Sequence, residues 1–230
     1  MSNVAPEGTL SFEEVVMARR SVRGFLDTPI PAETLRAIFT LAQQAPSNCN
    51  IQHWKVMVAS GPAAKRLSQK FIDAVLSGMG PAPDFDRLEK FEGIFRTRQV
   101  ETAQALYGAM GIERGDKEGR MRAALRNFEF FNAPHVALLA MPKDFGEVLA
   151  LDVGMYAQTL MLAMAAHGVG SCAQASLSNY PSVARDFFDL DDHYGLLMGI
   201  SFGYEDSSIP ANKTRVPRAS IDEAVQFIDG

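Results

Sequence analysis

Apolar positions recur at helical spacing along most of this chain and close up into short solid runs in three places. The run 136–141 is almost wholly apolar, the pattern of a strand covered on both faces, and 195–202 is a second apolar strand. A third run, 54–59, ends at Gly61-Pro62 and also reads as a strand. Ser11 and Glu14 have capping-box spacing and Leu10 and Val15 that of a hydrophobic staple, which predicts a helix over 12–19. Pro31 suits the first turn of a second helix with the stripe Leu35, Ile38, Phe39 and Ala42, ended by Pro46. A third helix is expected over 63–76, before a Gly/Pro-rich break at 78–83. Residues 85–131 are charge-rich with a helical pattern broken near 111–119, which predicts two helices outside the main layers, a candidate lid. Residues 150–166 are apolar nearly all round, through Met155, Leu160, Met161, Leu162 and Met164. That helix needs cover on every side, inside the domain or in a dimer interface. A short helix opens at Pro181, and the tail has an amphipathic piece with Ile221, Val225 and Ile228. Residues 25–31, 46–50 and 173–180 read as loops, the last two polar.

No internal repeat, low-complexity tract or linker interrupts the pattern, so 1–230 reads as one domain, long enough to bury roughly 70% of its unfolded surface. Hydrophobic residues at 47% and charged residues at 21% are the balance of an ordinary globular protein. A net charge of −5 argues against a general nucleic-acid or membrane surface while leaving room for a local basic pocket. Cys49 and Cys172 are too few and too far apart for a disulfide framework or a Cys-x-x-Cys site. The first nine residues lack the basic and apolar regions of a signal peptide. The apolar stretch 155–166 contains Gln158 and is shorter than the ~20 residues of a membrane span. A cytoplasmic protein is expected.

Candidate chemistry is concentrated in Arg19-Arg20-Ser21-Val22-Arg23, in 46–54, in 168–176 and in the late basic pair Lys213 and Arg215. Three guanidinium groups and a hydroxyl within five residues suit an oxyanion, because Arg engages phosphate oxygens in pairs. The plainer alternative is a basic helix end facing solvent and favouring the helix dipole. Ser and Asn side chains at 47, 48 and 50, taken alone, read as a turn with Asx or Ser hydrogen bonds. Gly168-x-Gly170 follows a helix and lacks a third glycine, so it is not a dinucleotide turn. The four histidines show no metal spacing, so no metal is expected, and no Gly-x-Ser-x-Gly elbow is present. Phe128, Phe130 and Phe131 fit core at helical spacing, although spacing alone does not separate core from a ligand wall.

Arg-Arg-Ser-Val-Arg-Gly-Phe, followed by Ala-Pro-Ser-Asn-Cys-Asn-Ile-Gln-His-Trp, resembles the FMN-dependent nitroreductase family, the oxygen-insensitive NAD(P)H type. The similarity continues through 154–180, 199–203 and Asn212-Lys213-Thr214-Arg215, and lapses over about 78–126, the family's variable insert. The resemblance implies an α+β fold in which helices flank a central, mostly antiparallel sheet, and an intertwined homodimer with two interfacial FMN sites. It implies that Arg19, Arg20, Ser21 and Arg23, with Lys213 and Arg215, hold the phosphate and nearby flavin groups. Pro46, Ser47, Asn48 and Asn50 would reach FMN from the other subunit. Cys172, Ala173, Gln174 and Ala175 would lie against the ring, their backbone N–H groups near N5 and O4. His53 stands where the family usually has Pro. The implied activity is ping-pong reduction of nitroaromatic or quinone-like acceptors, two electrons at a time, with no side chain as essential acid or base. NADPH is favoured over NADH by Arg87, Lys90, Arg96, Arg98 and Arg114 in the insert. A flavin-binding sensor or carrier without turnover, or a sister reductive dehalogenase or flavin-cleaving enzyme, fits the same motifs.

Overall fold

The computed structural model describes residues 10–229. Four strands, β1 (Lys55–Ser60), β2 (His135–Pro142), β3 (Gly170–Gln174) and β4 (Tyr194–Gly203), form one antiparallel sheet in the order β1-β2-β4-β3. Every residue of β2 is buried, because strands flank it on both edges and helices cover both faces. On one face α3 (Pro62–Leu76) and α7 (Pro181–Phe188) bring Leu67, Phe71 and Ala184 onto Val136, Leu138 and Leu196. On the other, α2 (Ala32–Ala42) and α6 (Gly146–Ala166) bring Ile38, Val153 and Leu160 onto Leu139, Ile200 and Phe202. Leu196 and Ile200 would share a face in an uninterrupted strand. A bulge opposite Leu139 and Ala140 shifts the register by one residue and sends them to opposite cores. The expected α+β architecture, with a sheet between helices, is therefore present.

The first helix, α1 (Phe12–Ala18), carries the expected capping box: Glu14 N–H donates to Ser11 Oγ, and Ser11 N–H donates to Glu14 Oε2 at 2.7 Å. It stops one residue earlier than the pattern predicts, so Arg19 is its cap rather than its last turn. Pro31 is likewise the cap of α2, and that helix ends at Ala42, short of Pro46. The two insert helices are α4 (Gly93–Ala109) and α5 (Lys117–Leu125); α4 buries none of its residues. The strap leading to them is fastened at Asp84, which accepts the Leu196 N–H at 2.8 Å and pairs with Arg185. The tail ends in α8 (Ile221–Ala224), held to α4 by an Arg98–Glu223 ion pair at 2.7 Å.

Two expectations change. Residues 170–174 form a fourth strand, where apolar runs predicted only three and a polar loop was expected from Ala173 onward. Its inward positions are Cys172 and Gln174 and its outward position is Ala173, so it shows no apolar alternation. The apolar helix, expected over 150–166, begins four residues earlier, at Gly146. Lys143–Ala166, which includes the turn before it, contains an 18-residue window of mean hydropathy 1.5, enough by length and composition to cross a membrane. Val153, Tyr156, Ala157, Leu160, Ala163 and Met164 are buried against the sheet, the packing of a core helix.

One buried group links this core to pH. His135 Nε2 accepts the Ile30 N–H at 3.1 Å, which leaves the proton on Nδ1 to donate to Ser60 Oγ at 2.8 Å. Burial pulls this imidazole below its ordinary 6.5, so the fold favours the neutral form. The unfolded chain therefore takes up the proton first. The stabilisation is full above the unfolded value and is lost as pH falls through the folded one. Denaturant unfolding between about pH 8 and about pH 5 should show an acid-side loss of stability that His135→Asn reduces. Equal slopes in the two proteins would assign the loss elsewhere.

Candidate flavin site

The Arg-rich segment leaves α1 and runs along the outer edge of β3. Val22 N–H donates to Ser171 O at 2.9 Å, and Ser21 and Ser171 form an isolated parallel bridge. Beyond that bridge no other strand covers this edge among the described residues, so backbone groups there remain available to a ligand. The three arginines do not act as one cluster. Arg20 is ion-paired with Glu205 just past β4, whereas Arg19 and Arg20 line a cavity of about 420 Å³ with Ser171 and Gly168. Arg23 instead lines a second cavity, about 260 Å³, with Arg126, Tyr107, Asn127 and Phe131.

Asn212 brings the late basic pair to this segment. Its Oδ1 accepts the Arg23 N–H at 2.6 Å, and its Nδ2 donates to Gly24 O at 2.9 Å and Asp206 O at 2.8 Å. The amide is buried; two of the bonds fix the turn Pro210–Lys213 against Arg23-Gly24 and the third ties it to Asp206. Gly24 has to be glycine here, because a Cβ would sit 2.5 Å from Ile209 Cγ1. Lys213 and Arg215 follow directly. Arg215 Nη1 donates to the carbonyls of Asn212 at 2.8 Å and Thr214 at 2.9 Å. Among the described residues, no carboxylate lies within 4.0 Å of the cationic groups of Arg19, Arg23, Lys213 or Arg215. Thr214 Oγ1 is buried without a hydrogen-bond partner there. These cations and a free hydroxyl can take an oxyanion.

Strand alternation sorts the 172–175 segment. Cys172 and Gln174 point into the protein, and Ala173 and Ala175 are exposed. Burial pushes the Cys172 thiol up, with the Arg23 charge and a Ser21 hydrogen bond pulling the other way, so Cys172 is a core thiol. Gln174 Nε2 donates to Asn127 O at 2.7 Å, and its Oε1 accepts from Ser201. The open face of β3 thus consists of backbone and two methyl groups. Arg87 of the strap donates to Ala175 O at 2.7 Å and Asn179 Oδ1 at 2.6 Å, so it fixes the following turn, Ala175–Asn179. Phe128 and Phe130 pack around Phe71 in the core, whereas Phe131 also faces the Arg23 cavity.

The loop 46–50 stands apart. Among the described residues, no hydrogen bond or ion pair joins it to the Arg segment, β3 or the basic tail. Cys49, Asn50 and Gln52 have φ of 48°, 57° and 47°, a left-handed backbone that is strained for side-chain-bearing residues by roughly 1–2 kcal/mol each. Ser47 Oγ accepts the Gln52 N–H at 3.0 Å, and Gln52 Nε2 donates to Asn50 O and Oδ1, both at 3.0 Å. Asp152 Oδ2, on α6, accepts the Asn48 N–H at 3.0 Å. Asn48 and Asn50 are exposed, facing away from their own core.

Sequence reasoning did not identify Asn212, Arg126, Asn127 or Asp152 as positioning groups. Asp152 carried the one available signal, a carboxylate past the first turn of an otherwise apolar helix.

Comparisons with known proteins agree with this layout. The Nitroreductase family profile matches residues 16–204. Nitroreductase NfnB of Mycolicibacterium smegmatis is 40% identical over 94% of this chain and 92% of its own length. A 4-nitrobenzoate reductase of Pseudomonas putida is 35% identical over 96% of each. The crystal structure of the FMN-dependent nitroreductase NfnB from Mycobacterium smegmatis in complex with NADPH superposes with a TM-score of 0.91 at 41% identity, covering 94% of this chain and 97% of that one. With the fold, the separated motifs and these relatives in agreement, the chain belongs to the nitroreductase family.

Proposed function

We infer that this protein is an FMN-dependent NAD(P)H nitroreductase working as an intertwined homodimer. The observation that carries this reading is that Asn212 ties the turn bearing Lys213 and Arg215 to Arg23, on the segment that borders β3, and that these three cations, like Arg19 earlier on the same segment, have no carboxylate partner among the described residues. The donors fit FMN. Guanidinium and ammonium groups with the Ser21 and Thr214 hydroxyls suit its phosphate, and the methyl-lined face at Ala173 and Ala175 suits a flat ring. Pro46, Ser47, Asn48 and Asn50 of a second copy would supply neutral hydrogen bonds to the ribityl and pyrimidine groups. Arg20, held by Glu205, lines the anchor rather than supplying its free charge.

A dimer would also cover exposed apolar side chains on α1, α6 and the tail, including Phe12, Met17, Val148, Leu151, Phe227 and Ile228. In this reading 1–230 is a single FMN-binding domain whose insert, about 78–126, shapes the acceptor pocket, and the protein is cytoplasmic. The acceptor is a nitroaromatic compound, in keeping with the 4-nitrobenzoate reductase relative, and quinone-like compounds fit the same pocket chemistry. NADPH is the favoured donor: Arg96, Arg114 and Arg120 line an insert cavity of about 570 Å³ with Glu113, a basic setting for a 2′-phosphate. Arg87 and Arg98, by contrast, are committed to Ala175–Asn179 and to Glu223.

Bound FMN supplies a two-electron carrier, which allows donor and acceptor to use one site in turn. One hydride and one proton convert a nitro group to nitroso with loss of water, and a second pair gives the hydroxylamine. The protein's part is to hold, orient and exclude water. The purified protein should be yellow, bleach anaerobically with NADPH, and regain colour on adding 4-nitrobenzoate. Colour without bleaching by NADPH or NADH would instead indicate a flavin carrier.

A further inference from the structure

The loop 46–50, whose left-handed residues are tied to one another by Ser47 and Gln52, is joined to α6 through one carboxylate. Asp152 is 4% exposed and sits in a helix whose neighbouring inward residues are Val153, Tyr156 and Ala157. Its Oδ2 accepts the Asn48 N–H at 3.0 Å and lies 3.6 Å from His53 Nδ1. The other ring nitrogen of His53, Nε2, meets Leu149 O at 3.0 Å, one turn earlier on α6, and the ring packs 5.2 Å from Phe145. His53 Nδ1 is itself buried without a hydrogen-bond partner among the described residues, so the carboxylate is its nearest polar neighbour. An apolar helix packed on a sheet has no packing need for a buried carboxylate, which is costly unless donors reach it. Both groups that reach this one belong to the loop and its exit.

We propose that Asp152 is a positioning residue for the cofactor site. With His53 as its second limb, it pins the backbone at Asn48 so that Ser47, Asn48 and Asn50 are presented outward in one conformation. The proposal rests on the reading that this loop contributes to FMN binding. Asp152 has a role distinct from that of the phosphate anchor: 4% exposed, it acts through the Asn48 N–H and His53 rather than on the ligand itself. His53, at a position where a proline would donate nothing, adds a side-chain tie between the loop's exit and α6.

The test compares Asp152→Ala, Asp152→Asn and His53→Ala in the full-length protein. FMN affinity is read by fluorescence titration of the apoprotein, and protection of the Asn48 amide by hydrogen exchange without flavin. Asp152→Ala should weaken FMN binding about 10-fold or more and abolish Asn48 protection, since it deletes a charge-assisted hydrogen bond. Asp152→Asn keeps an amide oxygen for the Asn48 N–H and should recover most of both. His53→Ala, which leaves Asp152 in place and is the safer variant should Asp152→Ala fold poorly, should lower affinity by less and raise Asn48 exchange. At saturating FMN, kcat should stay within about twofold of wild type in any variant that folds. Wild-type affinity in Asp152→Ala and His53→Ala, with Asn48 still protected, overturns the proposal. If the wild-type protein binds no FMN, the functional reading fails as well, a result separate from that one.

Discussion

Alanine at both Arg19 and Arg215 is expected to lower FMN affinity by about 100-fold or more, with each single change costing roughly one to two decades. Hydrogen bonds to a charged group contribute about 1.5–3 kcal/mol, and 1.4 kcal/mol is tenfold in a dissociation constant. The upper end applies because neither side chain has a carboxylate partner among the described residues, so no ion pair must be broken before phosphate is engaged. Arg215 at present spends Nη1 on two carbonyls of its own turn. Arg20→Ala is the internal contrast. Its guanidinium is already paired with Glu205, at 27% and 29% side-chain exposure, so its loss should affect local stability more than affinity. Fluorescence titration of the apoproteins measures all of these. Unchanged affinity in both Arg19→Ala and Arg215→Ala would remove the phosphate assignment.

The second large effect is expected at Asn212. Replacing it by Leu deletes three hydrogen bonds at one buried amide and strands the Arg23 N–H, while the Gly24 and Asp206 carbonyls each keep one backbone donor. At about 1 kcal/mol for each bond lost, and more for each buried group left unpaired, Asn212→Leu should cost about 3 kcal/mol or more of unfolding free energy. It should also separate the two halves of the anchor, so FMN affinity falls even though no ligand-facing group has changed. Asn212→Asp, which keeps the acceptor for the Arg23 N–H and loses both donors, should be intermediate in stability. Denaturant midpoints with parallel titrations decide it. A leucine variant with wild-type stability would mean that the turn Pro210–Lys213 is held by something else.

What the sequence disclosed depended on whether a signal was local. The capping box at Ser11 and Glu14, the solid run that became β2, and the break between α4 and α5 are statements about neighbours, and each was legible. The chemistry was legible as residue types: Arg beside Ser, Asn in a tight loop, Lys and Arg late in the chain. What could not be read was the division of labour among them. Glu205 lies 185 residues from Arg20, and Asn212 lies 189 from Arg23, and nothing in composition or spacing connects such pairs. The strand β3 was hidden for another reason. Of its inward residues only Cys172 joins the core, while Gln174 is polar and satisfied by Asn127 and Ser201, and the exposed Ala173 is apolar, so the usual alternation of apolar and polar residues is absent. Asp152 was visible as an oddity in α6, but its partner was a backbone N–H, which no sequence records.

The same absence of alternation in β3 has an evolutionary consequence. Ala173 faces outward from the strand and Ala175, the first residue of the turn that follows, is exposed, whereas 172 and 174 are packed. In the proposed site, mutation at Ala173 or Ala175 would alter what the flavin ring meets while leaving the interior untouched. Mutation at Cys172 or Gln174 would disturb the interior and reach the ligand only indirectly. Selection for a new acceptor can therefore proceed along this strand in single steps, because the residues exposed to selection for chemistry and those exposed to selection for folding occupy alternate places in the chain.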